Sequence, residues 1–248
     1  MTDDTGPTRD AFLGGRLGIF QPRRGYRAGA DAVFLAAAVP ATSGERVLEL
    51  GCGVGVAALC LAARVPGVIL TGVERDPEAA ELARRNTEEN ALPLRVIEAD
   101  VARLPAALRG EVFDHVMMNP PFFTAGTRPD LATRAGARHE ETPLDVWLEC
   151  AVRRLRPGGL LTVIQSANRV PDLVRGLDGR MGSLRLRPLS GRADRPAGRV
   201  LLAARKGGRA PFVLLPPFVL HEGAAHAGDG ESYSAPARAI LRDAAALE

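Results

Sequence analysis

Apolar runs of strand length recur at residues 46–50, 68–73, 94–99, 112–118, 160–165, 184–189 and 199–205. Several are almost continuously apolar, as expected of strands covered on both faces of a parallel sheet. Between them, residues 56–64, 77–90, 143–156 and 171–177 read as helices, with one more at 30–39 and another at 236–246. Asp76-Pro77 is a strong helix start, with Asp as N-cap and Pro in the first turn. Strands alternating with helices define an α/β fold. Residues 15–29 alternate and are broken by Gly and Pro, as in a hairpin or extended arm. Residues 1–12 are expected to be loosely attached. The proline-broken stretch 211–220 reads as an edge segment. Residues 124–141 form a long polar loop, of a length that usually carries function. There is no internal repeat. The expected layout is an arm and helix over 1–40 packed on the core, a main domain over 41–210 and an extension over 211–248.

The ends of four successive strands carry the candidate chemistry. The first runs into Gly51-Cys52-Gly53-Val54-Gly55, and a strand, a glycine turn and a helix place backbone N–H groups at a helix N-terminus. A dinucleotide fingerprint would need glycine at position 56, where Val56 stands. The second strand ends at Glu74, 23 residues after Gly51, the spacing of an acceptor for a ribose diol. The third ends at Asp100, a carboxylate able to accept from a nucleobase amine. The fourth ends in Asn119-Pro120-Pro121-Phe122. Each proline bars its predecessor from helical angles, so the tip is stiff and extended. It could be no more than an Asn-Pro turn after a core strand. It could also activate an exocyclic aromatic amine, whose lone pair is delocalised into its ring. The Asn119 side-chain carbonyl and the Pro120 backbone carbonyl can accept both N–H groups and stabilise the charge that grows on nitrogen. Phe122 can stack on the base.

Composition narrows the setting. With 248 residues and 46% hydrophobic content, the chain can bury one real core. An acidic, polar start argues against a signal peptide, no run has transmembrane length, and three cysteines without CxxC spacing suggest reduced thiols. A cytoplasmic protein without metal or membrane association is expected. His115, in a strand, is expected to be a satisfied core or rim residue. Aromatics make up only 4%, which marks Phe122, Phe123, Trp147, Tyr26 and Tyr233 as informative. Charge is uneven. Residues 44–115 carry 12 acidic and 8 basic side chains, whereas 169–209 carry 11 basic and 3 acidic, and 9–27 carry five Arg and one Asp. Basic ends around an acidic middle suit a polyanion such as RNA. A chain that uses Arg on all its solvated faces would look similar.

Together Glu49-Leu50-Gly51-Cys52-Gly53-Val54-Gly55, Glu74, Asp100 and Asn119-Pro120-Pro121-Phe122 resemble the class I S-adenosyl-L-methionine-dependent methyltransferases that act on amines. That resemblance implies a Rossmann-like seven-stranded, mostly parallel sheet with helices on both faces, a short N-terminal arm and a C-terminal extension. It implies S-adenosyl-L-methionine as cofactor, with Gly51, Gly53 and Gly55 at its methionine end. Glu74 would serve the ribose, Asp100 and Val101 the adenine, and Glu49 and Arg75 would also bind the cofactor. Arg27, Gly29 and Asp31 match the family's upstream cofactor-touching segment, and Asn119 borders the same site. The arm and helix 25–39, the Asn119–Phe123 stretch and the tail Gly230-Glu231-Ser232-Tyr233-Ser234 resemble more narrowly the tRNA(Val) adenine-N6 methyltransferases. By that likeness the substrate is tRNA, methylated beside the anticodon, with Arg23, Arg24, Phe123 and Arg128 as RNA contacts and a monomer as the default state. Ribosomal RNA guanine-N2 and protein glutamine-N5 methyltransferases share the tip and remain alternatives. A non-catalytic RNA- or nucleotide-binding module is the alternative of another class.

Overall fold

A computed structural model describes residues 6–121, 142–223 and 232–247. The chain opens with an antiparallel hairpin of β1 (Thr8–Phe12) and β2 (Leu17–Gln21), joined by a 3-10 turn at Leu13–Gly15. Residues 8–12 are therefore not loose, which corrects the sequence expectation. Two asparagines of a later helix account for this. Asn86 accepts from the Phe20 N–H at 2.7 Å and donates to the carbonyls of Phe20 at 3.0 Å and Val54 at 2.9 Å. Asn90 brackets Gly18 in the same way, at 3.0 and 2.9 Å. These bonds join segments about 70 residues apart in sequence, which local pattern does not show.

After the hairpin come α1 (Ala30–Ala38), β3 (Arg46–Leu50), α2 (Val56–Arg64), β4 (Ile69–Glu74), α3 (Pro77–Asn90) and β5 (Arg95–Glu98). Then follow α4 (Ala106–Arg109), β6 (Phe113–Met118), α5 (Leu144–Arg154), β7 (Leu155–Ser166) and α6 (Val170–Leu177). The chain ends with β8 (Met181–Ser190), β9 (Arg199–Lys206), β10 (Val213–Leu214), β11 (Phe218–Val219) and α7 (Ala235–Asp243). The expected α/β alternation is present. Asp76 caps α3 by accepting from Glu78 N–H at 2.9 Å. Ser234 caps α7 and also donates to the Val219 carbonyl at 2.7 Å, so this part of the tail motif fastens the last helix to the sheet. Gly230 and Glu231 of that motif lie outside the described residues.

The main sheet has the order β10-β8-β9-β7-β6-β3-β4-β5, with β11 also on β8. The seven expected strands are all there, and two-residue β10 and β11, from the proline-broken edge segment, make nine. From β7 to β5 every pairing is parallel; β9 runs antiparallel between β7 and β8. Val47 faces one core cluster while Leu48 and Leu50 face the other, as the period of two along a strand requires. All three are fully buried, each worth at most about 1.5–3 kcal/mol of apolar transfer. Helices α1, α2 and α7 cover one face, α5 and α6 the other.

The chain leaves β3 outward through β4 and β5, then returns to β6 on the other side of β3. That reversal opens a crevice beyond the carboxyl ends of β3 and β6, where open α/β sheets hold ligands. Gly51 and Asn119 both stand there. Helix α5 stops at Arg154 rather than Arg156, because Leu155 already pairs with Phe113 in the sheet. Pro157-Gly158-Gly159 forms an irregularity inside β7, with Gly158 at φ +76°. The loop 124–141 lies outside the described residues.

Candidate active site

Gly51, Gly53 and Gly55 have φ of +67°, +53° and +88°, a left-handed region costly for any residue with a Cβ. Gly51 is constrained twice: an added Cβ would lie 2.5 Å from the indole ring of Trp147. Gly55 is the N-cap of α2. Glu74, at the end of β4, accepts from the Gly53 N–H at 2.8 Å, and from Arg75 and Asp76 N–H at 2.8 and 2.9 Å. Its carboxylate thus stitches the glycine loop to the start of α3. Glu49 is fully buried beneath that loop and accepts from the Ala58 N–H at 3.0 Å. Burial pushes its carboxyl well above the usual range, and the nearby charge of Glu74 adds to the rise. Asp100 accepts from the Ala102 N–H at 2.8 Å and from the Thr142 hydroxyl at 3.5 Å.

Asn119 follows β6. Its side-chain N–H donates to the Tyr26 hydroxyl at 3.3 Å, while its Oδ1 is buried without a hydrogen-bond partner among the described residues. A buried acceptor left unmatched is costly unless a further group satisfies it. The Pro120 carbonyl accepts from Gln165 Nε2 at 3.2 Å. Tyr26 is largely exposed, and its hydroxyl accepts from Asn119. Partial desolvation, then the charges of Asp31 and Glu49, raise its pKa.

Two adjoining cavities, about 500 and 250 Å³, share Tyr26, Gly51, Gly53, Glu74, Asp76 and Asn119. The larger adds Arg75, Asp100, Val101, Pro120, Pro121, Thr142 and Trp147; the smaller adds Arg24, Glu49 and Cys52. Its size is that of a small-molecule site. The structure thus brings together the predicted Glu49, Gly51, Gly53, Glu74, Arg75, Asp100, Val101, Asn119, Pro120, Pro121 and Arg24. It does not bring Arg27, Gly29, Asp31, Gly55 or Arg23 to the cavity walls. Arg27 pairs with Asp10 and donates to Thr8 at 2.8 Å, so it braces the hairpin. Asp31 pairs with Arg199 at 3.0 Å, and Arg23 donates to the Gly6 carbonyl at 2.7 Å. Phe122, Phe123 and Arg128 lie outside the described residues.

Tyr26, Thr142, Trp147 and Gln165 escaped the sequence reading as site residues. Aromatic scarcity marked Tyr26 and Trp147, but only the fold sets them on the cavity. Gln165 is a polar residue closing an apolar strand, a signal that was there to read. His115 lies along β6, away from the cavities; its Nε2 meets Glu45 at 3.1 Å, but its buried Nδ1 has no partner among the described residues, so only half of the expected satisfaction is found there. Cys52, Cys60 and Cys150 are buried free thiols, and burial pushes Cys150 up to about 11. Among the described residues no group of three His, Cys, Asp or Glu is placed to hold a metal, and no helix is long and apolar enough to cross a membrane.

The parallel sheet, its switch point and the glycine loop with acids at successive strand ends define a class I methyltransferase fold. The chain belongs to the methyltransferase small domain family, whose model matches residues 27–185. It is 33% identical to a tRNA1(Val) (adenine(37)-N6)-methyltransferase of Dickeya chrysanthemi over 195 residues, 77% of either chain. It superposes on the crystal structure of a predicted O-methyltransferase from Agrobacterium tumefaciens with TM-score 0.71 and 29% identity, over 88% of this chain and 98% of that one. It also matches a 16S rRNA N2 G1207 methyltransferase of Thermus thermophilus, in complex with AdoMet and guanosine, with TM-score 0.57 and 25% identity, over 81% and 50%. The chain is an S-adenosyl-L-methionine-dependent methyltransferase. The site fits that cofactor: the larger cavity has room for a nucleoside, and carboxylates close the strand ends.

Proposed function

We propose that the enzyme methylates the N6 amine of adenine in RNA, in the anticodon loop of a tRNA, with adenine 37 of valine tRNA as the target by likeness to the Dickeya relative. One observation carries the reading of the chemistry: two carbonyl oxygens, Asn119 Oδ1 without a partner and Pro120 O with one lone pair to spare, stand at the tip of β6 beside the cavity. When bound, S-adenosyl-L-methionine supplies an electrophilic methyl group. Glu49, Gly51 and Gly53 would hold its methionine end, Glu74 and Arg75 its ribose, Asp100 and Val101 its adenine. The two carbonyls accept the N–H groups of the target amine and favour positive charge on its nitrogen as the transfer proceeds. A hydroxyl acceptor, with one hydrogen, would leave one carbonyl unused.

RNA as the polymer is supported by the basic stretches 9–27 and 169–209, and Arg24 lies at the smaller cavity. Arg23, Arg24 and Arg128 would meet phosphates, and Phe122 and Phe123 the unstacked base. The transfer chemistry is assigned to residues 41–210, with 1–40 as an arm and helix and 211–248 as an extension, and the enzyme to the cytoplasm. The likeness to the ribosomal RNA enzyme keeps guanine N2 as a second reading. Tritiated methyl transfer to total tRNA, ribosomal RNA and release factor in parallel, followed by nucleoside analysis, decides. N6-methyladenosine in tRNA is the expected product. Label confined to N2-methylguanosine, glutamine or a 2′-O-methyl group overturns the proposal.

A further inference from the structure

The tip cannot anchor itself. Pro120 and Pro121 have no backbone N–H, so two of the local donors that could fix the carbonyls around them are missing. The fold supplies partners from two distant elements instead. Gln165 lies next to the end of β7, the parallel neighbour of β6, and is fully buried. Burying an amide is costly unless it is hydrogen-bonded. The Ser166 N–H donates to Gln165 Oε1 at 2.8 Å, which fixes the amide and leaves Nε2 facing the Pro120 carbonyl at 3.2 Å. A peptide carbonyl has two lone pairs, so one stays free. On the other side, Tyr26 from the arm receives the Asn119 side-chain N–H at 3.3 Å. That contact turns Oδ1 away from Tyr26, and it is Oδ1 that has no partner.

We infer that Gln165 and Tyr26 are positioning residues that hold the Pro120 and Asn119 carbonyls as a preorganised pair of acceptors for the target amine. The inference rests on the amine-transfer reading of the tip. Neither side chain touches the reacting atoms; each acts through the carbonyl-bearing residue it holds. Preorganised acceptors need no rearrangement as charge develops, so their loss appears in turnover and not in cofactor binding.

The test compares wild type with Gln165→Met, Gln165→Glu, Tyr26→Phe and Asn119→Ala. It measures kcat and KM on tRNA, and S-adenosyl-L-methionine affinity by calorimetry. Gln165→Met keeps the bulk and loses the donor; kcat should fall roughly 10- to 100-fold, the scale of a misplaced reacting geometry. KM for tRNA should stay within about twofold and cofactor affinity unchanged, as expected when only the transition state loses an interaction. Gln165→Glu should be as slow once pH exceeds the burial-raised pKa of the new carboxyl, where a carboxylate faces the carbonyl. It should recover as pH falls through its burial-raised pKa, because a protonated carboxyl can donate to Pro120 again. A merely structural role would give no such acid rescue. Tyr26→Phe, at an exposed ring, tests the second contact even if position 165 tolerates no change. Wild-type kcat in Gln165→Met and Tyr26→Phe beside an inactive Asn119→Ala overturns the inference and leaves the tip chemistry standing. Absence of acid rescue in a folded, cofactor-binding Gln165→Glu also overturns it. Full activity in Asn119→Ala instead overturns the amine-transfer reading itself.

Discussion

Gly51→Ala separates two physical causes that usually travel together. At φ +67°, an alanine meets the left-handed penalty, about 1–2 kcal/mol. Its Cβ would also stand 2.5 Å from the Trp147 ring, inside the closest approach of real contacts. Trp147 is held by α5 on one side and by its N–H to the Thr142 carbonyl at 3.2 Å on the other, so it cannot simply swing away. Overpacking of this kind costs about 1–3 kcal/mol. The two costs together are about 2–5 kcal/mol, a large part of the stability of an ordinary domain. Gly53→Ala is the internal control: φ is +53°, yet an added Cβ meets nothing within 4 Å. It should cost only the backbone penalty. Urea denaturation of both variants without cofactor gives the two numbers. The double variant Gly51→Ala, Trp147→Leu should recover the overpacking share, after allowance for Trp147→Leu alone. Equal midpoints for Gly51→Ala and Gly53→Ala would refute the argument that the indole, and not the turn alone, requires glycine here.

Glu74→Ala should weaken S-adenosyl-L-methionine binding by about 1–3 kcal/mol, because it removes a charged acceptor and frees the Gly53 N–H; calorimetry reads it. Asn86→Leu should lower stability by about 1–3 kcal/mol by orphaning buried backbone groups of Phe20 and Val54, and should raise proteolysis of the hairpin first; an undisturbed urea midpoint would count against the bridge. The raised Glu49 carboxyl gives a pH signature. Its folded pKa lies above its unfolded one, so its contribution is fully present below the ordinary carboxylate range and is lost as pH rises toward the folded value. The stability of Glu49→Gln relative to wild type should therefore grow with pH above that range, and a difference flat in pH would contradict the assignment. Arg24→Ala should reduce the salt dependence of tRNA binding; an unaltered salt slope removes it from the RNA contacts.

Much of the architecture was legible because the evidence for it is local. The run 46–50 is mostly apolar, Asp76-Pro77 announces its own helix, and the acids at 74 and 100 close strands that periodicity alone delimits. A parallel sheet then sets its strand ends side by side, so motifs scattered over 70 residues meet in one crevice. What sequence hid was contact across long separations. Asn86 reads as one more polar residue on a helix, yet it fixes both the hairpin and the glycine loop. Arg27 reads as a cofactor cation beside the glycine at 29, but Asp10 pairs with its charge first. Local chemistry nominates a charged side chain, and the nearest complementary group decides where it goes.

The same division explains the layout of the site. The cofactor side is built from backbone turned by glycine and acids at strand ends, parts that a strand–turn–helix unit supplies by itself. The acceptor side needs rigidity where two prolines have removed the backbone donors that would ordinarily give it. Support has to come from outside the unit: from β7 through Gln165, and from the arm through Tyr26. The arm is in turn held by Asn86 and Asn90 of α3, which starts directly beyond Glu74. A continuous chain of packed and hydrogen-bonded groups thus runs from the ribose end of the cavity, through α3 and the hairpin, to the amide of Asn119. On the inference above, the arm serves the acceptor side in a structural sense: loosening it at Asn86 should weaken one of the two holds on the acceptor pair.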